Sequence, residues 1–148
     1  MSLTVVANRV PIRKTEEGWE TSVGGLTTAL LPVLQDQGGV WVGMGEDPDL
    51  PPRQNYPEDD PDFLVRRVPL STEELDGYYY GMANQILWPL SHYLIQHLNL
   101  QDDFIETYRH VNQRFADAVL EETEKGAGDV IWIQDYHQML SPNLIRQE

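Results

Sequence analysis

Three short apolar runs bounded by polar residues or glycine predict the strands of a buried sheet. They are residues 3–7, 40–42 and 130–133, and a more polar segment at 63–68 predicts a further strand. The run at 130–133 is apolar without interruption between polar flanks, which is typical of a central parallel strand.

Helices are predicted between and after these strands. They cover residues 26–34, the region from 71 through 78–87, residues 102–124 and residues 141–146. Ser71 and Glu74 have the spacing of a capping box, which indicates a helix start, and Pro89 is expected to kink or end that helix. In 102–124 the apolar residues recur every three or four positions, so one helix face is expected to be buried.

The remaining segments predict connections, and the whole order predicts the fold class. Residues 10–22 are polar and indicate a loop or hairpin, whereas 46–61 carries five prolines and is predicted to be loop throughout. Strands that alternate with helices indicate one α/β domain over residues 1–148, with a mostly parallel, partial Rossmann-like sheet flanked by helices. The last helix begins close to Glu148, so the far neighbour of strand 130–133 is expected to lie outside this sequence and the chain is expected to be a fragment.

Composition excludes several classes of function. The formal net charge is -14, so a nucleic-acid or anionic-membrane surface, which needs a basic face, is disfavoured. No apolar run reaches membrane-spanning length, and the absence of cysteine favours a soluble, cytoplasmic protein. The carboxylates of 46–62 indicate a solvated acidic loop, and the histidines show no ligand spacing, so no metal site is predicted.

Polar clusters follow three of the predicted strands, where open α/β sheets bind ligands. These clusters are Asn8-Arg9, residues 43–46 and residues 134–137. Gly24-Gly25 directly before a helix allows backbone N–H groups to approach an anion, although a glycine pair there is more often structural. Arg9 nearby has the planar, bidentate donors that suit a phosphate, with a surface ion pair as the alternative.

Aromatic residues and a histidine add weaker signals. Tyr78-Tyr79-Tyr80 and Trp88 lie close together in sequence; such rings are most often core, but sugars stack their C–H faces on them. His137 near Asp135 suggests a base and its orienting carboxylate, although their spacing on an extended loop does not force contact.

Together these residues resemble the trehalose-6-phosphate synthase family of retaining GT-B glycosyltransferases. The similarity runs in order along the whole chain. The matching blocks are VVANRVP at 5–11, SVGGL at 22–26, YY at 78–79, NQILWPL at 84–90, HY at 92–93, YRHVN at 108–112, FA at 115–116 and VIWIQDYH at 130–137.

The resemblance implies a reaction and a role for each site residue. Glucose would pass from a nucleotide-glucose donor to glucose 6-phosphate, with no metal and no cofactor. Arg9 would hold the acceptor phosphate, Tyr79 and Trp88 would shape its pocket, and Gly24-Gly25 would lie against the donor diphosphate. Asp135 would bind acceptor hydroxyls and act in catalysis by positioning the attacking oxygen.

Two departures from the family pattern leave alternatives open. Gly43-Met44-Gly45 has Met where the family usually has Trp, so a related synthase that makes glucosylglycerol phosphate stays possible. The family's second, nucleotide-sugar-binding domain is absent from this sequence, so the chain is expected to be inactive alone, and a non-catalytic sugar-phosphate-binding module is the other alternative. The donor base and any homo-oligomeric state are left open.

Overall fold

The apolar runs form the strands of an α/β fold in the computed structural model, which describes residues 2–45 and 47–147. The strands in chain order are β1 (Leu3–Arg9), β2 (Ile12–Thr15), β3 (Gly18–Thr21), β4 (Gly39–Gly45), β5 (Arg53–Tyr56), β6 (Phe63–Pro69) and β7 (Val130–Ile133). The helices are α1 (Gly25–Gln37), α2 (Thr72–Leu75), a π-helix (Asp76–Leu87), α3 (Trp88–Ser91), α4 (Asp102–Glu124) and α5 (Ser141–Arg146). Short 3₁₀ turns lie at Ile95–His97 and Tyr136–Gln138.

Five strands form one sheet in the order β5-β6-β4-β1-β7. β1 pairs in parallel with both β4 and β7, and β4 pairs in parallel with β6, whereas β5 runs antiparallel to β6. The predicted mostly parallel α/β sheet is confirmed. The segment predicted to be a loop or hairpin at 10–22 is the hairpin of β2 and β3.

Helices cover both faces of this sheet. α1 buries Leu30, Leu31 and Leu34 on one face, against the side of β1 that carries Val5. On the other face, α4 and the π-helix bury Val111, Phe115 and Tyr78 against β1 and β4. Alternate residues of a strand point to opposite faces, so a sheet covered on both sides produces the uninterrupted apolar runs seen in the sequence.

The prediction that 46–61 is loop throughout is wrong, because β5 lies within it. The prolines of segment 46–61 lie on either side of Arg53–Tyr56 and none lies within this strand. An edge strand tolerates proline at its ends. The Arg53 guanidinium donates from Nε and Nη2 to the two carboxylate oxygens of Glu122, each at 2.9 Å, and this bidentate pair fixes the edge strand to α4. Glu46 lies outside the described residues.

β7 pairs with β1 alone among the described strands, as expected if its other neighbour lies outside this sequence, so its central position stays a prediction. Within the described residues β7 is an edge strand, and the side chains of Val130 and Trp132 are 40% and 46% exposed. An apolar run reports the hydrophobicity of a strand, but it does not report whether a second neighbour is present.

The helix that follows Ser71 begins as predicted but differs in type. Its Asp76–Leu87 segment is a π-helix, which the apolar pattern did not indicate. Pro89 lies in the first turn of α3, where its missing N–H is tolerated, directly after the π-helix ends at Leu87, and the helical segment ends two residues later at Ser91.

Ser71→Ala is expected to lower the free energy of unfolding by about 1 kcal/mol. The Ser71 hydroxyl accepts from the Glu74 backbone N–H at 3.2 Å, and the Glu74 carboxylate accepts from the Ser71 N–H at 2.7 Å, so the substitution breaks a reciprocal cap. Urea denaturation measures the loss. Ser71→Thr retains the hydroxyl and should keep most of the stability; an alanine variant as stable as the parent would contradict a stabilising cap.

Candidate functional site

A cavity of about 750 Å³ opens at the carboxyl ends of β1, β4 and β7, beside the start of α1. Five of the six site residues predicted from the sequence line it. They are Arg9, Gly24, Gly25, Tyr79 and Asp135. The parallel strands bring their carboxyl ends to the same edge of the sheet, which explains why residues so distant in sequence meet there.

Arg9, the last residue of β1, is held on both its backbone and its side chain. The buried Trp41 indole donates from Nε1 to the Arg9 carbonyl oxygen at 2.9 Å. The Arg9 guanidinium carbon lies 5.7 Å from the centre of the Tyr79 ring, within the range of a cation–π contact. These contacts place a permanently charged, forked donor at the cavity wall, where the Arg9 side chain is exposed.

Asp135 presents an exposed carboxylate from an unusual backbone conformation. Its φ of 70° lies in the left-handed region, which is uncommon for residues other than glycine and recurs at functional sites. The Asp135 Oδ1 accepts from the Tyr136 N–H at 2.8 Å and caps the 3₁₀ turn Tyr136–Gln138. This hydrogen bond therefore orients the carboxylate at the cavity.

His137 is buried next to Asp135 between two aromatic rings. Its ring centre lies 4.2 Å from that of Tyr136 and 5.7 Å from that of Tyr79. Burial lowers the pKa of His137, the nearby Arg9 charge lowers it further, and Asp135 opposes the shift, so we expect a neutral imidazole at neutral pH. The described residues show no hydrogen bond between this ring and the Asp135 carboxylate, so the suggested base and orienting pair is not formed here.

Gly24 and Gly25 place the start of α1 against the cavity. Gly24 is the N-cap, with no side-chain cap, and the first turn holds no acidic residue. A Cβ on either glycine would meet nothing within 4 Å in the described structure, so the space in front of the helix is open. The unpaired N–H groups of a helix start form a favourable anion site.

Trp88 is the predicted site residue that the structure does not bring to this cavity. It begins α3, its side chain is 41% exposed, and its indole stacks on His92 with ring centres 4.2 Å apart. Of its aromatic neighbours, Tyr78 is fully buried in the core and Tyr80 lines a second cavity of about 270 Å³ that also borders Arg9 and Tyr79.

Sequence reasoning missed three further cations at the cavity. Arg13 and Lys14 come from β2, and Arg67 comes from β6; with Arg9 they are four of the ten Lys and Arg residues in a chain of net charge -14. Such clustering of cations concentrates positive potential where the rest of the surface is acidic. The available signal was Arg66-Arg67 near the end of a predicted strand.

Arg67 is a buried member of this group. Its guanidinium donates to the Pro51 carbonyl oxygen at 3.0 Å and to Gln54 Oε1 at 2.8 Å, and it lies 5.1 Å from the Trp19 ring centre. Burial lowers the pKa of Arg67, and the carboxylate of Asp47 opposes this shift. An arginine remains charged under such a shift, so the cavity has a fixed cation on the β6 side as well.

Residues 2–45 and 47–147 hold neither a metal-ligand cluster nor a membrane-spanning helix. No group of three or more His, Asp or Glu residues there has the geometry to hold a metal ion. No helix in the same ranges is both long enough and apolar enough to cross a bilayer.

Comparison with known proteins identifies the family. The family model of glycosyltransferase family 20 matches residues 1–148. The trehalose-6-phosphate synthase of Mycobacterium avium (strain 104) is 38% identical over 152 residues, which cover 97% of this chain and 30% of that protein.

Solved structures of trehalose-phosphate synthases have a fold similar to that of this chain. A UDP-forming alpha,alpha-trehalose-phosphate synthase from Burkholderia xenovorans, in complex with glucose-6-phosphate, superposes with a TM-score of 0.77 at 29% identity, over 99% of this chain and 31% of that one. An E. coli structure bound with UDP-2-fluoro glucose gives a TM-score of 0.77 at 29% identity, over 99% and 30%. The chain thus spans about 30% of the length of the relatives that it matches. Because the family model covers every residue, the chain belongs to glycosyltransferase family 20.

Proposed function

We propose that this chain forms the acceptor-side part of an enzyme that transfers glucose from a nucleotide-glucose to glucose 6-phosphate, producing trehalose 6-phosphate. One observation carries the proposal. The Arg9 guanidinium, the Asp135 carboxylate and the open start of α1 at Gly25 border the same cavity. A cation, a carboxylate that accepts hydrogen bonds from hydroxyl groups, and an anion site thus lie together at the carboxyl ends of the strands. This combination suits two ligands that each contain a sugar and phosphate.

The acceptor sugar phosphate fits the β1 and β7 side of the cavity. The Arg9 guanidinium can pair with the phosphate through charge-assisted hydrogen bonds, and the Tyr79 ring lies at cation–π distance from that guanidinium. Asp135, across the same cavity, can accept hydrogen bonds from the sugar hydroxyls. Arg13, Lys14 and Arg67 would attract the anionic ligand into the cavity of an otherwise acidic chain.

The donor diphosphate fits the start of α1, where Gly24 and Gly25 leave the backbone accessible. In the proposed step the bond between the glucose C1 and the diphosphate oxygen breaks, a bond from C1 to the acceptor oxygen forms, and the acceptor proton passes to the departing diphosphate. Asp135 would orient the attacking hydroxyl. The rate then depends on orientation and on stabilising charge on the leaving diphosphate.

Relatives such as the M. avium enzyme extend well beyond the region matched by this chain. We infer that the nucleotide base and part of the diphosphate are held by a further domain, so this chain alone should bind a sugar phosphate without transferring glucose. A cytoplasmic location is part of the same proposal.

The test is a transfer assay on the complete gene product, with UDP-, GDP- and ADP-glucose as donors and glucose 6-phosphate and glycerol 3-phosphate as acceptors. We expect trehalose 6-phosphate as the main product. Faster transfer to glycerol 3-phosphate would instead support the glucosylglycerol-phosphate alternative, which Met44 at the cavity keeps open. Sugar-phosphate binding without transfer to any acceptor would support the non-catalytic module.

Gly25→Ala is expected to raise the donor KM of the complete gene product by about tenfold while leaving thermal stability unchanged. The new methyl group meets no protein atom within 4 Å, but it occupies the space that the diphosphate needs. Steady-state kinetics measure the effect, and an unchanged KM for glucose 6-phosphate serves as the internal control. An unaltered donor KM would show that the start of α1 is not part of the donor site.

A further inference from the structure

Tyr78, at the start of the π-helix, joins the two loops that carry the charged site residues. Its hydroxyl donates to Asn8 Oδ1 at 2.8 Å and accepts from Gln138 Nε2 at 2.9 Å. Asn8 directly precedes Arg9, and the Gln138 N–H donates to the Asp135 carbonyl oxygen at 3.3 Å. One phenol therefore lies between the loop of the guanidinium and the loop of the carboxylate.

Tyr79, the next residue, contacts the same two loops from the cavity side. Its ring lies 5.7 Å from the Arg9 guanidinium carbon and 5.7 Å from the His137 ring centre. Successive residues of one helix thus bridge successive residues of both loops, Tyr78 from the core by hydrogen bonds and Tyr79 from the cavity by ring contacts.

The backbone itself gives little control of this spacing. β1 and β7 pair in register only from Leu3 with Val130 to Val6 with Ile133. One further backbone hydrogen bond, from the Gln134 N–H to the Val6 carbonyl oxygen at 2.8 Å, follows in the described residues. Beyond it the described residues show no further backbone hydrogen bond between these two segments, and side-chain contacts connect them.

The Tyr78 bridge is buried and fully hydrogen-bonded. Tyr78 and Gln138 are both 0% exposed, and Gln138 Oε1 accepts from the Ser141 hydroxyl at 2.6 Å. Phe115 packs beside the Tyr78 ring with ring centres 6.3 Å apart. A buried, satisfied polar chain of this kind fixes one arrangement, because a displaced partner would lose its hydrogen bond without gaining water.

We propose that the Tyr78 hydroxyl is a positioning group that sets the distance between the Arg9 guanidinium and the Asp135 carboxylate, and thereby the fit of a sugar phosphate between them. This inference rests on the proposed function. It differs from a general role in stability because it concerns a ligand that must reach both groups at once. A ligand that needs only the guanidinium should not depend on Tyr78.

Tyr78→Phe tests this, since it removes the hydroxyl and retains the ring. Calorimetric titration of the chain with glucose 6-phosphate and, separately, with inorganic phosphate gives the two Kd values. We expect the Kd for glucose 6-phosphate to rise by about tenfold and the Kd for inorganic phosphate to change by less than about twofold. Phe115→Leu, which loosens the packing beside Tyr78 without removing a hydrogen bond, is the matched control and should leave the ratio of the two Kd values unchanged.

Other outcomes overturn the inference. An unchanged glucose 6-phosphate Kd in Tyr78→Phe, or equal losses for both ligands, would show that the hydroxyl does not set the spacing, while normal binding by the parent chain would leave the proposed function standing. A parent chain that binds no glucose 6-phosphate would overturn both the proposed function and this inference.

Discussion

Arg9→Ala should weaken the binding of glucose 6-phosphate by about 10- to 100-fold, the range that loss of a hydrogen bond to a charged group produces. The Arg9 carbonyl oxygen accepts a hydrogen bond from the Trp41 indole, and the Arg9 guanidinium makes a cation–π contact with the Tyr79 ring. The loss of affinity should therefore come from the missing phosphate contact, and the fold should stay intact. Calorimetric titration of the chain with glucose 6-phosphate measures it.

Two variants separate this contact from general effects of charge. Arg9→Lys keeps the charge but loses the bidentate fork, so an intermediate affinity is expected. Arg109→Ala removes an exposed arginine that pairs with Glu106 on α4, away from the cavity, and should leave the affinity unchanged. If Arg9→Ala bound glucose 6-phosphate as tightly as the parent, the acceptor phosphate would not lie at Arg9.

Gly43→Ala is expected to damage both the fold and the site. A Cβ at Gly43 would lie 2.7 Å from the Arg9 carbonyl carbon and 2.7 Å from the Val10 nitrogen, distances that real contacts do not reach. Both are backbone atoms that cannot rotate away, so β1 must shift from β4 just where Arg9 is presented. We expect a loss of about 1–3 kcal/mol or more in the free energy of unfolding, as overpacking produces, together with weakened glucose 6-phosphate binding.

Urea denaturation and calorimetric titration of the same Gly43→Ala sample measure the two effects. Gly25→Ala is the matched stability control, because Gly25 lies in the first turn of α1 and a Cβ there meets nothing within 4 Å. That control should unfold at the parent urea concentration. Parental stability and affinity in Gly43→Ala would mean that the contact between β4 and Arg9 is looser than described.

The sequence predicted those parts of the fold that depend on hydrophobic periodicity. α4 spans the predicted 102–124, and β7 spans the predicted 130–133, because long amphipathic and continuous apolar patterns have one good structural solution. β5 was not predicted because the prolines around it masked a short edge strand. Its partner, β6, follows it in the chain after a turn-rich segment. The π-helix escaped because its apolar positions do not distinguish it from an α-helix.

The position of the candidate residues was predictable where it depended on strand ends. Arg9 ends β1 and Asp135 follows β7, and parallel pairing brings them to one edge of the sheet. Arg67 was missed because it sits inside a predicted strand, and only the sheet order directs it towards the cavity. The left-handed backbone of Asp135 was also unpredictable, because it arises from the turn that follows β7 and not from a glycine or asparagine signal.

The most direct test is a titration of the 148-residue chain with glucose 6-phosphate, followed by backbone amide chemical shifts. If a sugar phosphate binds between the strand ends, the largest shifts should fall at Arg9, Tyr79 and Asp135, and the end of α4 near Glu121 should not respond. Shifts that are largest elsewhere, or no shift at saturating ligand, would contradict a sugar-phosphate site in this cavity.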